Sequence, residues 1–117
     1  MKNTNELISE LNQFTGTSKY FYDKLSRIYY TEGINYLAEQ EEAYWLINLI
    51  GSYQEEIKET FQIWNVRLCE NGGAVITCRT DSNKPNIVTQ CIEYTDFKLD
   101  NFEVYCINNV ILLKTEY

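Results

Sequence analysis

The chain has 117 residues, a formal net charge of -7, 15% aromatic residues and no histidine. That length points to one domain, and at this mass folding buries roughly two-thirds of the surface the unfolded chain exposes, enough for a core without disulfide or metal. The acidity disfavours sequence-independent binding to a phosphate backbone and favours a basic partner, and the lack of histidine excludes imidazole bases and triads.

In chain order, Asn3 and Glu6 have capping-box spacing, and Leu7, Ile8 and Leu11 share one helical face, which predicts a short helix over 5–13. Phe14-Thr15-Gly16-Thr17 breaks it. Thr17 then caps a second predicted helix, with Phe21, Leu25 and Ile28 on its buried side and its end near Tyr30. Thr31 caps a third, carrying Ile34, Leu37 and Ala38.

The strongest helical pattern runs over 41–58. Ala43, Trp45, Leu46, Ile47, Leu49, Ile50, Tyr53 and Ile57 fill an arc of roughly 200°, about twice what an ordinary surface helix needs. Such a helix is wedged between a sheet and other helices, or offers an apolar face to another molecule, a second copy included.

From Phe61 the period drops to two. Trp64, Val66 and Leu68 point one way while Asn65, Arg67 and Cys69 point the other. Asn71-Gly72-Gly73 supplies the positive φ of a tight hairpin into a strand over 74–80. The stretch 81–86, with the only proline, is a loop, and 87–94 is a third strand. Strands over 102–107 and 110–114 flank Asn108-Asn109, a second hairpin. The expected fold is α+β, one domain, with three to four helices in 1–59 on one face of a five-stranded, mostly meandering antiparallel sheet in 60–117.

Cys69, Cys78, Cys91 and Cys106 contain no Cys-x-x-Cys pair, so they are expected to be free thiols, mostly buried, with no metal centre and no cofactor. The polar start and the lack of a long apolar run predict neither a signal peptide nor a membrane span, with the cytoplasm as default compartment. Gly72-Gly73 lacks the following Lys-Ser/Thr and helix of a phosphate loop.

The candidate site is acidic. Glu39, Glu41 and Glu42 lie by the predicted start of the 41–58 helix, where carboxylates suit the dipole, and Tyr44 follows. Glu55, Glu56 and Glu59 crowd its predicted last turn, where the dipole disfavours them. Between Glu32 and Glu59 stand seven acids and one base, Lys58. A solvated face accounts for this, and so does a docking surface for a basic protein groove. Glu93 and Asp96, at a predicted strand end, suit a turn better than an acid–base pair. Cys69, with only Arg67 near in sequence, is a weak candidate for a reactive thiol.

Several phrases are distinctive: Glu10-Leu11-Asn12-Gln13-Phe14-Thr15-Gly16-Thr17, Tyr36-Leu37-Ala38-Glu39, Ala43-Tyr44-Trp45-Leu46-Ile47, Ser52-Tyr53-Gln54, Phe61-Gln62-Ile63-Trp64, Ile92-Glu93-Tyr94-Thr95-Asp96-Phe97 and the closing Thr115-Glu116-Tyr117. Together they resemble a family of small bacterial and mobile-element proteins classed as a domain of unknown function, with Lys114 standing where that pattern has proline. The resemblance implies no catalytic residues. The expected function is therefore a non-catalytic protein that docks an acidic face on a basic partner, such as an inhibitor occupying a nucleic-acid site in an anti-CRISPR or other anti-defence role. The alternatives are a small-ligand binder with an aromatic pocket between helix and sheet, and an enzyme using carboxylate, thiol or tyrosine chemistry.

Overall fold

The computed structural model describes residues 3–16 and 19–117. The elements run α1 (Thr4–Leu11), β1 (Tyr20–Asp23), β2 (Ile28–Thr31), α2 (Glu32–Glu41), α3 (Tyr44–Ser52), β3 (Phe61–Leu68), β4 (Ala74–Arg79), β5 (Val88–Ile92), β6 (Phe102–Ile107) and β7 (Val110–Leu113), closed by a 3-10 turn, Lys114–Glu116. All seven strands form one mixed sheet in the order β1-β2-β7-β6-β3-β4-β5.

The fold is α+β, with three helices among the described residues, and the sheet departs from expectation in two ways. It has seven strands where five were expected, and it is not wholly antiparallel, because β2 runs parallel to β7. Nor is it a simple meander, since β3, β4 and β5 run in sequence but β6 returns to the far side of β3.

The two extra strands replace the helix expected over 17–30. Its proposed cap, Thr17, lies outside the described residues. Beyond it, Tyr20-Phe21-Tyr22 and Ile28-Tyr29-Tyr30-Thr31 are aromatic and β-branched, which favours a pleated surface over a helix. Between them the Asp23 carboxylate accepts from the Ser26 backbone N–H at 3.2 Å and from the Ser26 hydroxyl, while Arg27 turns the chain at φ 57°. Leu25, expected in the core, is 86% exposed at that turn.

The long helix expected over 41–58 is also divided. Glu42 sits in the left-handed region at φ 50°, so α2 stops and the chain turns into α3 after two residues. At the other end, the Ser52 hydroxyl and the Gln54 amide donate to the Leu49 and Ile50 carbonyls, taking acceptors a longer helix would use. The 41–58 stripe nevertheless goes where core packing requires. Ala43, Leu46, Ile47, Leu49 and Ile50 are buried, with Trp45, Tyr53 and Ile57 packed around them.

The remaining caps and turns match their patterns, although Ile8, expected to share the apolar face of α1 with Leu7 and Leu11, is 41% exposed. Asn3 caps α1, accepting from the Glu6 N–H at 2.9 Å, and Thr31 caps α2, accepting from the Ile34 N–H at 3.3 Å. Gly72 has φ 92° in the β3–β4 turn, and Asn108 and Asn109 have φ 50° and 69° between β6 and β7.

Strand alternation sends one set of side chains into the core and leaves the other on a face that no helix among the described residues covers. Trp64, Val66, Ala74, Ile76, Cys78, Val104, Cys106, Ile111 and Leu113 meet the helices. On the opposite face lie Phe61, Asn65, Arg67, Thr77, Arg79, Glu103 and Tyr105, with the Tyr117 ring against Phe61 and Tyr105 at centroid distances of 6.0 and 5.4 Å. No helix among the described residues is long and apolar enough to cross a membrane.

Candidate functional site

The predicted acidic residues fall into two groups at the two ends of α3. Glu39 and Glu42 are exposed at the close of α2, beside the exposed Tyr44. They lie at the negative end of the α2 dipole and not at the start of a long helix, so the macrodipole does not favour them. Asn35 offsets this locally, donating to Glu39 at 3.3 Å and accepting from the Tyr44 hydroxyl at 3.3 Å. Partial burial and the Glu39 charge raise the Tyr44 pKa, so the phenol stays neutral and a donor.

Glu41 does not join them. It is 7% exposed and accepts the Lys98 backbone N–H at 2.8 Å, clasping the β5–β6 connection against α2.

Glu55, Glu56 and Glu59 are all exposed, but they lie in the turn and coil after α3, not on a last helical turn. That segment is pinned from beneath. Gln54 and Gln62 exchange amide hydrogen bonds, both at 2.9 Å, Gln62 also donates to the Glu59 carbonyl at 3.0 Å, and the Trp64 indole donates to Gln62 at 2.9 Å. The Tyr53 hydroxyl donates to Gln90 on β5. The acids thus ride on a held segment, about 13 Å of helix axis from Glu39 and Glu42. Tyr44, half-buried Asn48 and exposed Ser52, four residues apart, line α3 between the two groups.

Each group borders a hollow. Glu42 and Asp96, with Trp45 and Tyr94, line a concavity of about 360 Å³. Tyr94 is 70% exposed and donates to Asp96 at 2.7 Å, and that hydrogen bond, with the Asp96 charge, raises its pKa. In sequence Asp96 stands near Glu93, but the acid that shares this hollow with it is Glu42. The sequence carried no sign of that approach, which depends on residues more than fifty positions apart meeting at one end of the sheet. The second hollow, about 670 Å³, lies between α3 and the β1–β2 turn and includes Arg27, Asn48, Ser52 and Glu55.

Between helices and sheet, where a small-ligand binder would need its aromatic pocket, Ile34, Leu37, Leu46, Ile47, Ile50 and Val104 close around a gap of about 10 Å³, room for one water at most. Burial raises the Cys78 and Cys106 thiols to about 12, so both stay protonated and poorly nucleophilic. Cys69 is half-buried, and Cys91 is exposed on β5. Among the described residues, no group of three or more Cys, Asp and Glu is placed to hold a metal ion.

These features define an α+β protein with one helix-covered and one open sheet face, and with one acidic, aromatic-lined hollow and one polar hollow at the helical side. The chain belongs to a family of unknown function, DUF6876, whose model matches residues 5–117. No curated protein and no solved structure matches it.

Proposed function

We propose that the protein acts by docking its acidic helical side on a basic surface of a partner protein, without catalysis. The observation that carries this reading is the hollow in which Glu42 and Asp96 stand beside Trp45 and Tyr94. Carboxylates next to aromatic faces suit a guanidinium or ammonium group, which gains a charge-assisted hydrogen bond and a cation–π contact together. Glu39, Glu55, Glu56 and Glu59 extend the negative surface along α3, and an array of this kind imitates the charge of a phosphate backbone. That suits an inhibitor occupying the nucleic-acid site of a basic protein, in the manner of an anti-defence protein.

The test is a low-salt affinity capture with the native chain and, in parallel, with a variant carrying E42Q, D96N and W45A. A second variant reverses Glu55, Glu56 and Glu59 to Lys. A basic protein held stoichiometrically by the native chain, released by moderate salt and lost with both variants is the expected result. A partner held equally by native and variant chains would overturn the reading.

A further inference from the structure

We propose that a second site, on the open face of the sheet between Arg67 and Arg79, binds a small phosphate-bearing ligand that also carries hydroxyl groups. It lies on the sheet face away from Glu39, Glu42, Glu55, Glu56 and Glu59 and does not depend on the docking reading.

Charge is the first support. The chain is strongly acidic, yet among the described residues the charged ones facing outward from the strands are Arg67, Arg79 and Glu103, by their register. Lys114 does not line this hollow but reaches Glu103 from the neighbouring one, so the carboxylate stands among three cations, two of them, Arg67 and Arg79, in the hollow itself. Arg79 Nη2 and Lys114 Nζ approach the two Glu103 oxygens at 2.8 and 3.2 Å, which fixes the carboxylate and offsets its charge. The Arg67 side chain is exposed and makes no hydrogen bond or ion pair among the described residues. It is therefore open to an oxyanion, which a guanidinium binds through two parallel hydrogen bonds.

Shape is the second support. Arg67, Arg79, Asn65, Thr77, Asn86 and Asn101 border a concavity of about 560 Å³ together with Glu103, within the roughly 300–1,000 Å³ usual for small-molecule sites. In register, Asn65 lies between Thr77 on β4 and Glu103 on β6, at the centre of the hollow. The two arginines stand four strand positions apart, about 13 Å along the strand, and their long side chains can close on one ligand from opposite ends.

The third support is the central asparagine. Asn65 is 8% exposed on β3, the central one of the three strands that form the hollow, where at such burial an apolar residue would be the default. Its amide nitrogen donates to Asn101 Oδ1 at 3.0 Å and to Glu103 Oε2 at 3.4 Å. These bonds fix its orientation and leave Oδ1 with no donor among the described residues. No buried side-chain oxygen or nitrogen among them lacks a partner, so Oδ1 remains accessible from the hollow. A fixed acceptor there, with the Thr77 hydroxyl and the Asn86 amide beside it, suits a ligand's hydroxyl groups. A phosphate with up to two negative charges matches the excess of cations better than a single carboxylate does.

The experiment is calorimetric titration of the full chain with adenosine monophosphate and with glucose 6-phosphate, each beside its unphosphorylated counterpart. Saturable binding of at least one phosphorylated probe is expected, absent for adenosine and glucose. R67A, which removes an exposed side chain with no described partner and so keeps the fold, should weaken that binding about tenfold or more. T77V should weaken it less. Retention of full affinity by R67A, or no binding of either phosphorylated probe at millimolar concentration, would overturn the proposal.

Discussion

The Thr31 hydroxyl donates to Glu116 Oε1 at 2.6 Å, joining residues 85 positions apart. Parallel pairing of β2 with β7 makes this possible, because both strands then end on the same side of the sheet. The Glu116 carboxylate, 8% exposed, also accepts from the Gly33 N–H at 3.2 Å and the Leu113 N–H at 2.9 Å. It therefore stands at the N-terminus of α2, where free N–H groups and the dipole both favour a negative charge.

Removing this carboxylate leaves buried donors unpaired, each costing roughly 1–3 kcal/mol. E116A should accordingly lower unfolding stability by about 2–4 kcal/mol in urea titrations, with E116Q intermediate. An unchanged midpoint for E116A would mean that the turn at the chain end is not part of the cooperative unit.

Gly33 is the second half of the same contact. A methyl group there would meet Leu113 Cδ1 at 2.6 Å and Glu116 Oε1 at 2.7 Å. G33A should destabilise by about 1–3 kcal/mol through overpacking. In the E116A background part of that space is vacated, so the double mutant should lose less than the two single losses added together. Strict additivity would place the clash elsewhere.

The Glu103 cluster predicts a pH dependence. Burial raises its pKa, but hydrogen bonds from Arg79 and Lys114, with their charges, outweigh this and hold it below the ordinary value. A depressed carboxylate contributes stability that is complete above the unfolded pKa, about 4.3, and is lost as pH falls through the lower folded value. Unfolding measured between neutrality and strong acid should therefore show E103Q less stable at neutral pH, the gap closing in acid. A gap independent of pH would contradict the assignment.

Thiol accessibility offers a simple readout. Cys91 is exposed, while Cys78 and Cys106 are fully buried with their thiols raised to about 12. An aromatic disulfide reagent at neutral pH should modify Cys91 first, and Cys78 and Cys106 only at the rate of global unfolding. Rapid native modification of either buried thiol would show that the helical layer opens locally.

What was legible beforehand was local. The Asn3 and Thr31 caps, the Gly72 and Asn108-Asn109 turns and the alternation of β3 each depend on residues close in sequence, so short-range chemistry determined them. The buried stripe of 41–58 was legible for the same reason, because its period survives the break at Glu42. Phe21, Leu25 and Ile28 misled because helical spacing also arises by chance when two short strands flank a turn, and only their pairing with β7 decides between the two. The acids of the candidate site were visible as a charge run, but their grouping was not. Glu41 turned inward because Lys98 offers an N–H, and Asp96 joined Glu42 because β5 ends beside α3. The open-face hollow was invisible in sequence, since Asn65, Thr77, Arg79 and Glu103 are ordinary outward residues until three strands lie side by side. The sequence by itself determined the caps, the turns and which faces are apolar. The tertiary structure decided which distant strands pair, and so which side chains share a site, because those contacts come from long-range chain closure that no local pattern encodes.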